Sequence, residues 1–214
     1  MTASTKTEGG LKTPAAIETE RLRLRPPRLG DADEIFARYA QDAEVTRYLT
    51  WRPHKSIEPV REFLRSLLAL REQGAVLPWV VERRADGRLL GVTDLRLQGF
   101  RAEIGYALAR DAWGQGFASE AARALVNWAL AQPGIYRVWA VCDVDNAASG
   151  RVLEKAGMVR EGLLRRWSVH PNVSDEPRDC WCYAKVRPSA GASTASSETS
   201  PRRDRAGEAG ARTA

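Results

Sequence analysis

The chain has 214 residues, 43% hydrophobic and 28% charged, with a formal net charge of +6. That composition fits one globular domain with a sizeable core and excludes a wholly disordered or collagen-like chain. No apolar run is long enough to span a bilayer, and Met1–Gly10 lacks the apolar block of a secretory signal, so a cytoplasmic location is expected. Three cysteines, Cys142, Cys180 and Cys182, do not make a disulfide framework and read as buried small apolar residues. With only His54 and His170 besides, no metal site is expected.

Residues 1–17 and 188–214 read as disordered flanks. The second begins with the low-complexity stretch Pro188-Ser-Ala-Gly-Ala-Ser-Thr-Ala-Ser-Ser. Residues 18–187 are left as the folded domain. The whole +6 lies between Arg21 and Arg187, because residues 1–20 carry −1 and residues 188–214 carry +1. A basic core favours an anionic ligand. The arginines are spread rather than striped with aromatics, which disfavours nucleic acid.

Arg21–Arg25 alternates with period two and predicts a strand stopped by Pro26-Pro27. Asp31, with Glu34 three residues on, predicts the capped start of a helix carrying Ile35, Phe36 and Tyr39. A loop over 48–56 follows. Ser56 is the expected cap of a second helix with Val60, Phe63, Leu64, Leu67 and Leu68 on its apolar stripe, ended by Gly74. Strands are predicted over 77–82, 89–97 and 102–109, with Asp86-Gly87 as the hairpin turn between the first two. Ala121, Ala122, Leu125, Val126 and Ala129 stripe a further helix, ended by Pro133-Gly134. Val138–Cys142 predicts a strand, and Asn146 the cap of a short helix over 147–156. Two strands, about 158–169 and 178–187, flank a polar turn. The predicted class is α+β: a central mixed, mostly antiparallel sheet of about seven strands with helices on both faces.

Between the strand at 102–109 and its helix lies Arg110-Asp-Ala-Trp-Gly-Gln-Gly-Phe-Ala-Ser-Glu. Gly114 and Gly116 let backbone N–H groups approach an anion at a helix N-terminus. Phe117-Ala118 replaces the Lys-Ser or Lys-Thr of a P-loop. Hairpins precede the loop, and Ser119 stands where a dinucleotide fingerprint needs Gly or Ala. A purely structural glycine turn remains open on the loop alone.

The loop motif Trp113-Gly-Gln-Gly-Phe-Ala118 does not stand alone. Together with Ala102-Glu-Ile-Gly-Tyr106, Asp145-Asn-Ala-Ala-Ser149 and Glu154-Lys-Ala-Gly-Met158, it resembles the GCN5-related N-acetyltransferases (GNAT), in the ribosomal-protein N-acetyltransferase (RimJ/RimL)-like branch. The resemblance covers about 18–187. It implies the GNAT fold, with a sheet splayed between its fourth and fifth strands, and acetyl-CoA as cosubstrate without a metal.

The implied pyrophosphate donors are the backbone N–H groups of Gln115, Gly116, Phe117, Ala118 and Ser119. The pantetheine arm is expected along Ile104, Tyr106, Ala107 and Leu108, with Asn146 and Ser149 also at the cofactor. Many members place an acid tyrosine where this chain has Leu153, so Ser149 is the expected hydrogen-bond donor to the departing sulfur. Ser149 also reads as a first-turn hydroxyl satisfying local backbone.

Glu103 is the first candidate base. Asp94, Glu161 and a water chain are alternatives. Trp51, Arg52, His54 and Trp167 are candidate acceptor-cleft residues. The implied acceptor is a small-molecule amine or a protein N-terminus, with no membrane partner and a monomeric or homodimeric protein. A non-catalytic acyl-CoA-binding module with the same fold is the rival.

Overall fold

The alternating segments are realised as a single eight-stranded sheet in a computed structural model, which describes residue 11 and residues 13–189. Most of the two predicted disordered flanks lies outside the described residues. Strands β1 (Ile17–Glu18), β2 (Leu22–Arg25), β3 (Val76–Arg83), β4 (Leu89–Gln98), β5 (Arg101–Leu108), β6 (Arg137–Asp143), β7 (Val159–Val169) and β8 (Pro177–Val186) lie in the order β1-β2-β3-β4-β5-β6-β8-β7. Every neighbouring pair is antiparallel except β5 and β6, which are parallel. The sheet exceeds the expected seven strands by one, because two-residue β1 pairs with β2 through Ile17↔Leu24 and Glu18↔Arg23.

The helices are α1 (Ala32–Ile35), continued by a π-helical turn over Phe36–Ala40, α2 (Ala43–Thr46), α3 (Glu58–Glu72), α4 (Phe117–Ala131) and α5 (Ala147–Lys155). Two apolar cores result. Val60, Leu64 and Leu67 of α3 and Ile35 of α1 bury against Val80 and Val92 on one face. Ala121, Ala122, Leu125, Val126 and Ala129 of α4 bury against Leu22, Trp79, Leu95 and Ile104 on the other. Burying a side chain such as Leu125 completely stabilises the fold by about 1.5–3 kcal/mol.

Three local expectations are corrected. Asp31 sits at the cap of α1 without a side-chain bond to it; its carboxylate receives Arg25 bidentately at 2.9 and 2.7 Å and closes the preceding 3₁₀ turn, Leu29–Asp31, by accepting the Arg28 N–H at 2.6 Å. Ser56 does not occupy the cap of α3, which starts at Glu58 with Ile57 in the cap position and Pro59 in the first turn. Phe63 lies off the buried stripe and is 45% exposed, since 3.6-residue spacing from Val60 and Leu64 rotates it outward.

Candidate active site

The feature that shapes the site is how little β5 and β6 share. They pair only at Arg101↔Arg137, Ala102↔Val138 and Glu103↔Trp139, whereas β5 stays paired with β4 as far as Gly91↔Leu108. From residue 104 onward the β6-facing edge of β5 has no strand partner among the described residues. An extended ligand segment can add to such an edge by backbone hydrogen bonds.

Alternation along β5 sorts the predicted lining residues. Ile104 and Leu108 are buried in the α4-side core, Tyr106 is half-buried on that side, and Ala107 packs on the opposite, α3 side. The Ile104, Ala107 and Leu108 side chains therefore fill the cores, and what they offer the gap is backbone.

At the end of β5 the chain makes a 3₁₀ turn over Arg110–Ala112, passes Gly114 (φ 73°) and Gly116 (φ 82°), and enters α4 at Phe117. Only glycine takes this left-handed backbone without strain. Gly116 is the cap residue of α4, and no side chain caps that terminus. The first-turn N–H groups of Phe117, Ala118 and Ser119 have no intrahelical acceptor. The Gln115 backbone carbonyl accepts from Arg21 Nη1 at 2.9 Å, and its side-chain Nε2 donates to the Asp111 carbonyl; neither bond uses the Gln115 backbone N–H. Arg21 also pairs with Glu120 and lies 4.6 Å from the Phe117 ring centroid, so the first-turn carboxylate is neutralised. A cleft of about 460 Å³ beside the loop is lined by Arg21, Arg123 and Lys155, by the acids Glu20 and Glu120, and by Gly116 and Ser119. The uncapped helix end, with Arg21 neutralising Glu120 and Arg123 and Lys155 beside it, fits a pyrophosphate.

On the α4 side of the gap, Asn146 caps α5 by accepting the Ser149 N–H at 3.1 Å. That bond fixes the first turn and presents Ser149 Oγ to Tyr106, whose phenol oxygen lies 2.7 Å away. Burial raises the phenol's pKa, the hydrogen bond to Ser149 opposing it, so Tyr106 is a neutral donor at any physiological pH. Leu153, at the position where many family members carry tyrosine, is fully buried. A phenol reaches Ser149 from β5 instead, a pairing invisible in sequence because the two residues are 43 positions apart. Cys142 is also buried beside Ser149, and burial pushes its thiol up to about 11.

The opposite face carries the carboxylates. The register Asp94↔Gly105 and Arg96↔Glu103 puts all four residues on one face, with Trp139 next to Glu103 on β6. Arg96 lies between the two acids, 3.3 Å from Asp94 Oδ2 and 3.8 Å from Glu103 Oε1. Asp94 is only 9% exposed, and its Oδ1 is buried with no hydrogen-bond partner among the described residues. Burial pushes this carboxyl up to about 6, Arg96 pulling it down and Glu103 pushing it further up. Glu161, the third candidate, is held by both terminal nitrogens of Arg137, and that pairing keeps its carboxyl below the usual range. The geometry thus brings Glu103 and Asp94 together and takes Glu161 away.

The four acceptor-cleft candidates do not form one cluster. Trp51 and His54 stack on each other, with centroids 4.7 Å apart. Burial lowers the His54 pKa. Arg52 makes an exposed ion pair with Asp175. Trp167 meets Trp139 edge-on at 6.4 Å. Asn172, which sequence reasoning missed, ties the two variable segments together by donating to the carbonyls of Thr46 and Trp51, both at 2.7 Å.

Residues 21–159 match the family described as acetyltransferase (GNAT) domain. The uncharacterized N-acetyltransferase YoaA of Bacillus subtilis (strain 168) is 36% identical over 175 residues, covering 80% of this chain and 97% of the relative. The crystal structure of a GNAT-family acetyltransferase from Bacillus anthracis superposes with a TM-score of 0.71 at 26% identity, over 80% of this chain and 98% of that one. RimL, a ribosomal L7/L12 α-N-protein acetyltransferase solved with coenzyme A, gives a TM-score of 0.72 at 22% identity, over 80% and 97%. The chain belongs to the GNAT acetyltransferases and has the GNAT fold.

Proposed function

We propose that the protein transfers an acetyl group from acetyl-CoA to a primary amine by direct attack on the thioester. One observation carries the reading: groups suited to hydrogen-bonding the departing sulfur and to accepting the ammonium proton lie on opposite faces of the sheet at β5, Tyr106–Ser149 on one and Asp94–Arg96–Glu103 on the other. Acetyl-CoA, when bound, supplies an activated acetyl group and a sulfur leaving group.

The chain's own residues do the rest. The N–H groups of Phe117 to Ser119 bind phosphate oxygens, and the free edge of β5 orients the arm. Asp94 takes the proton that an ammonium must lose before its nitrogen can attack. Its pKa near 6 suits a base working at neutral pH. As the C–S bond breaks, the Ser149 hydroxyl donates a hydrogen bond to the sulfur, and the Tyr106 phenol, kept neutral by burial, orients that hydroxyl by donating to its oxygen. Glu103 shifts from the base to a charge neighbour that raises the basicity of Asp94. The acceptor, a small amine or a protein N-terminus, approaches from the carboxylate face.

A non-catalytic acyl-CoA-binding module is the rival, favoured by the apolar residue at 153 and by the basic core; the phenol on Ser149 speaks against the first of these. The test is free-thiol release from acetyl-CoA with a panel of small amines and N-terminal peptides. Coenzyme A binding without turnover across the panel overturns the enzyme reading.

Two variants examine the parts. Ser149→Ala is expected to lower kcat by about 10–100-fold while changing acetyl-CoA affinity less than about threefold; an unchanged kcat removes Ser149 from the reaction. Gly116→Glu places a carboxylate at the helix terminus and also costs about 1–2 kcal/mol of backbone strain at φ 82°. Its acetyl-CoA affinity should fall at least about tenfold, with Gly116→Asn as the strain-tolerant control. Normal affinity in Gly116→Glu would make the loop merely structural.

A further inference from the structure

The glycine loop is uncovered on most sides. Trp113, Gly114, Gln115 and Gly116 are all exposed. A Cβ built on Gly114 would meet nothing within 4 Å, and one built on Gly116 would meet Arg21 Nη2 at 3.4 Å. Gly116 sits at φ 82°, and glycine takes the mirror value about as readily. The peptide unit joining Gln115 to Gly116 can therefore turn over, which exchanges the sides on which its carbonyl and its N–H lie. Packing alone does not choose between the two orientations.

Arg21 is placed to make that choice. Its Nη1 donates to the Gln115 carbonyl at 2.9 Å. In a planar trans peptide the carbonyl and the following N–H point in opposite directions. Holding the oxygen toward Arg21 turns the Gly116 N–H away from it, and that N–H donates to no backbone acceptor among the described residues. The guanidinium is itself held. Glu120 Oε2 receives Arg21 Nε at 2.7 Å, and Oε1 receives the Arg21 backbone N–H at 2.9 Å and the Thr19 hydroxyl at 2.6 Å. One planar group thus spans a fixed carboxylate and a loop carbonyl.

We propose that Arg21, in the turn between β1 and β2, is a positioning residue for the cosubstrate: by gripping the Gln115 carbonyl it sets the peptide orientation that presents the Gly116 N–H to the pyrophosphate. The inference rests on the acetyl-CoA site proposed above. Arg21 acts through the loop backbone, so its charge alone does not suffice. Lysine keeps the charge but lacks the fork that serves the Glu120 carboxylate and the Gln115 carbonyl together.

The experiment compares coenzyme A with pantetheine, which has the same arm without the pyrophosphate and nucleotide. Calorimetry reads coenzyme A, and an NMR titration of isotope-labelled protein reads both ligands. Arg21→Lys is expected to raise the Kd of coenzyme A about fivefold or more and that of pantetheine less than about twofold. Its melting temperature should stay near the parent's, because the side chain is 43% exposed and such pairs hold little stability. A Glu120→Gln background separates the carbonyl from the carboxylate: the loss caused by Arg21→Lys should persist there. In the parent the Gly116 amide resonance should move with coenzyme A and stay with pantetheine, a readout that needs no variant. In ligand-free Arg21→Lys the same resonance should shift or broaden as the peptide samples both orientations.

Parent-like coenzyme A affinity in Arg21→Lys, equal losses for the two ligands, a loss that vanishes in Glu120→Gln, or a Gly116 resonance indifferent to coenzyme A overturns the inference and leaves acetyl transfer standing. A coenzyme A-specific loss beside no turnover with any amine supports the inference and overturns the transfer reading. Failure of the parent to bind coenzyme A overturns both.

Discussion

An Asp94→Asn variant is expected to melt at a higher temperature than the parent at pH 7 while losing about 100-fold in kcat. The two effects share one cause. The carboxyl is buried and its pKa is about 6, against 3.8 for an unperturbed Asp. The folded state therefore binds this proton more tightly than the unfolded chain does. Its contribution favours the fold fully below the unfolded value and is lost as pH rises through about 6.

At neutral pH the ionised Asp94 thus works against folding, by about 1–3 kcal/mol. Asparagine removes that penalty, because half-exposed Arg96 can turn to solvent when its partner goes. The parent's kcat/KM should rise with pH through about 6 as Asp94 becomes able to accept a proton, with Arg96 and Glu103 the charged neighbours that set the midpoint. The variant should lack that limb. Thermal melts at pH 5 and 7 beside a pH–rate profile check both halves. A variant that is less stable at pH 7, or that keeps the limb, assigns the base elsewhere.

Gly91→Ala is expected to be the most damaging single methyl in the domain. A Cβ at Gly91 would sit 2.2 Å from the Ala107 carbonyl oxygen and 2.7 Å from Leu108 Cα, both backbone atoms of β5. No rotamer change relieves such an overlap, so β4 and β5 must separate at Gly91↔Leu108. We expect a loss of about 3–5 kcal/mol, enough to unfold many domains. Denaturant unfolding and soluble yield report it. A loss under about 1 kcal/mol would mean that β5 moves freely along its outer half. By contrast, Gly114 and Gly87 have nothing within 4 Å of a built Cβ; there glycine is required by φ alone.

Much of this site was legible in the chain because it is written in local pattern. Alternation placed β5 with Glu103 and Gly105 opposite Ile104 and Tyr106, and the Asn146 cap fixed where Ser149 sits. What could not be read is long-range. Tyr106 meets Ser149 across 43 residues, and Asn172 reaches Trp51 across 121. The burial of Asp94, on which its proposed role as base rests, is decided by strand register and does not show in the sequence. Asp31 was misjudged for a related reason: its helix-start signal was genuine, but Arg25 folds back onto it from the preceding strand.

The three-pair seam between β5 and β6 divides the molecule in a way that follows chain order. Residues 17–108 build one plate of five strands, and residues 137–186 build the other, of three. The plates touch along a short seam, share the α4 layer, and are clasped at the far side by Asn172. If the proposed function holds, a molecule seated in the opening touches both plates and acts as mortar between two halves of the polypeptide, and Asn172 ties those halves together at the Trp51 loop.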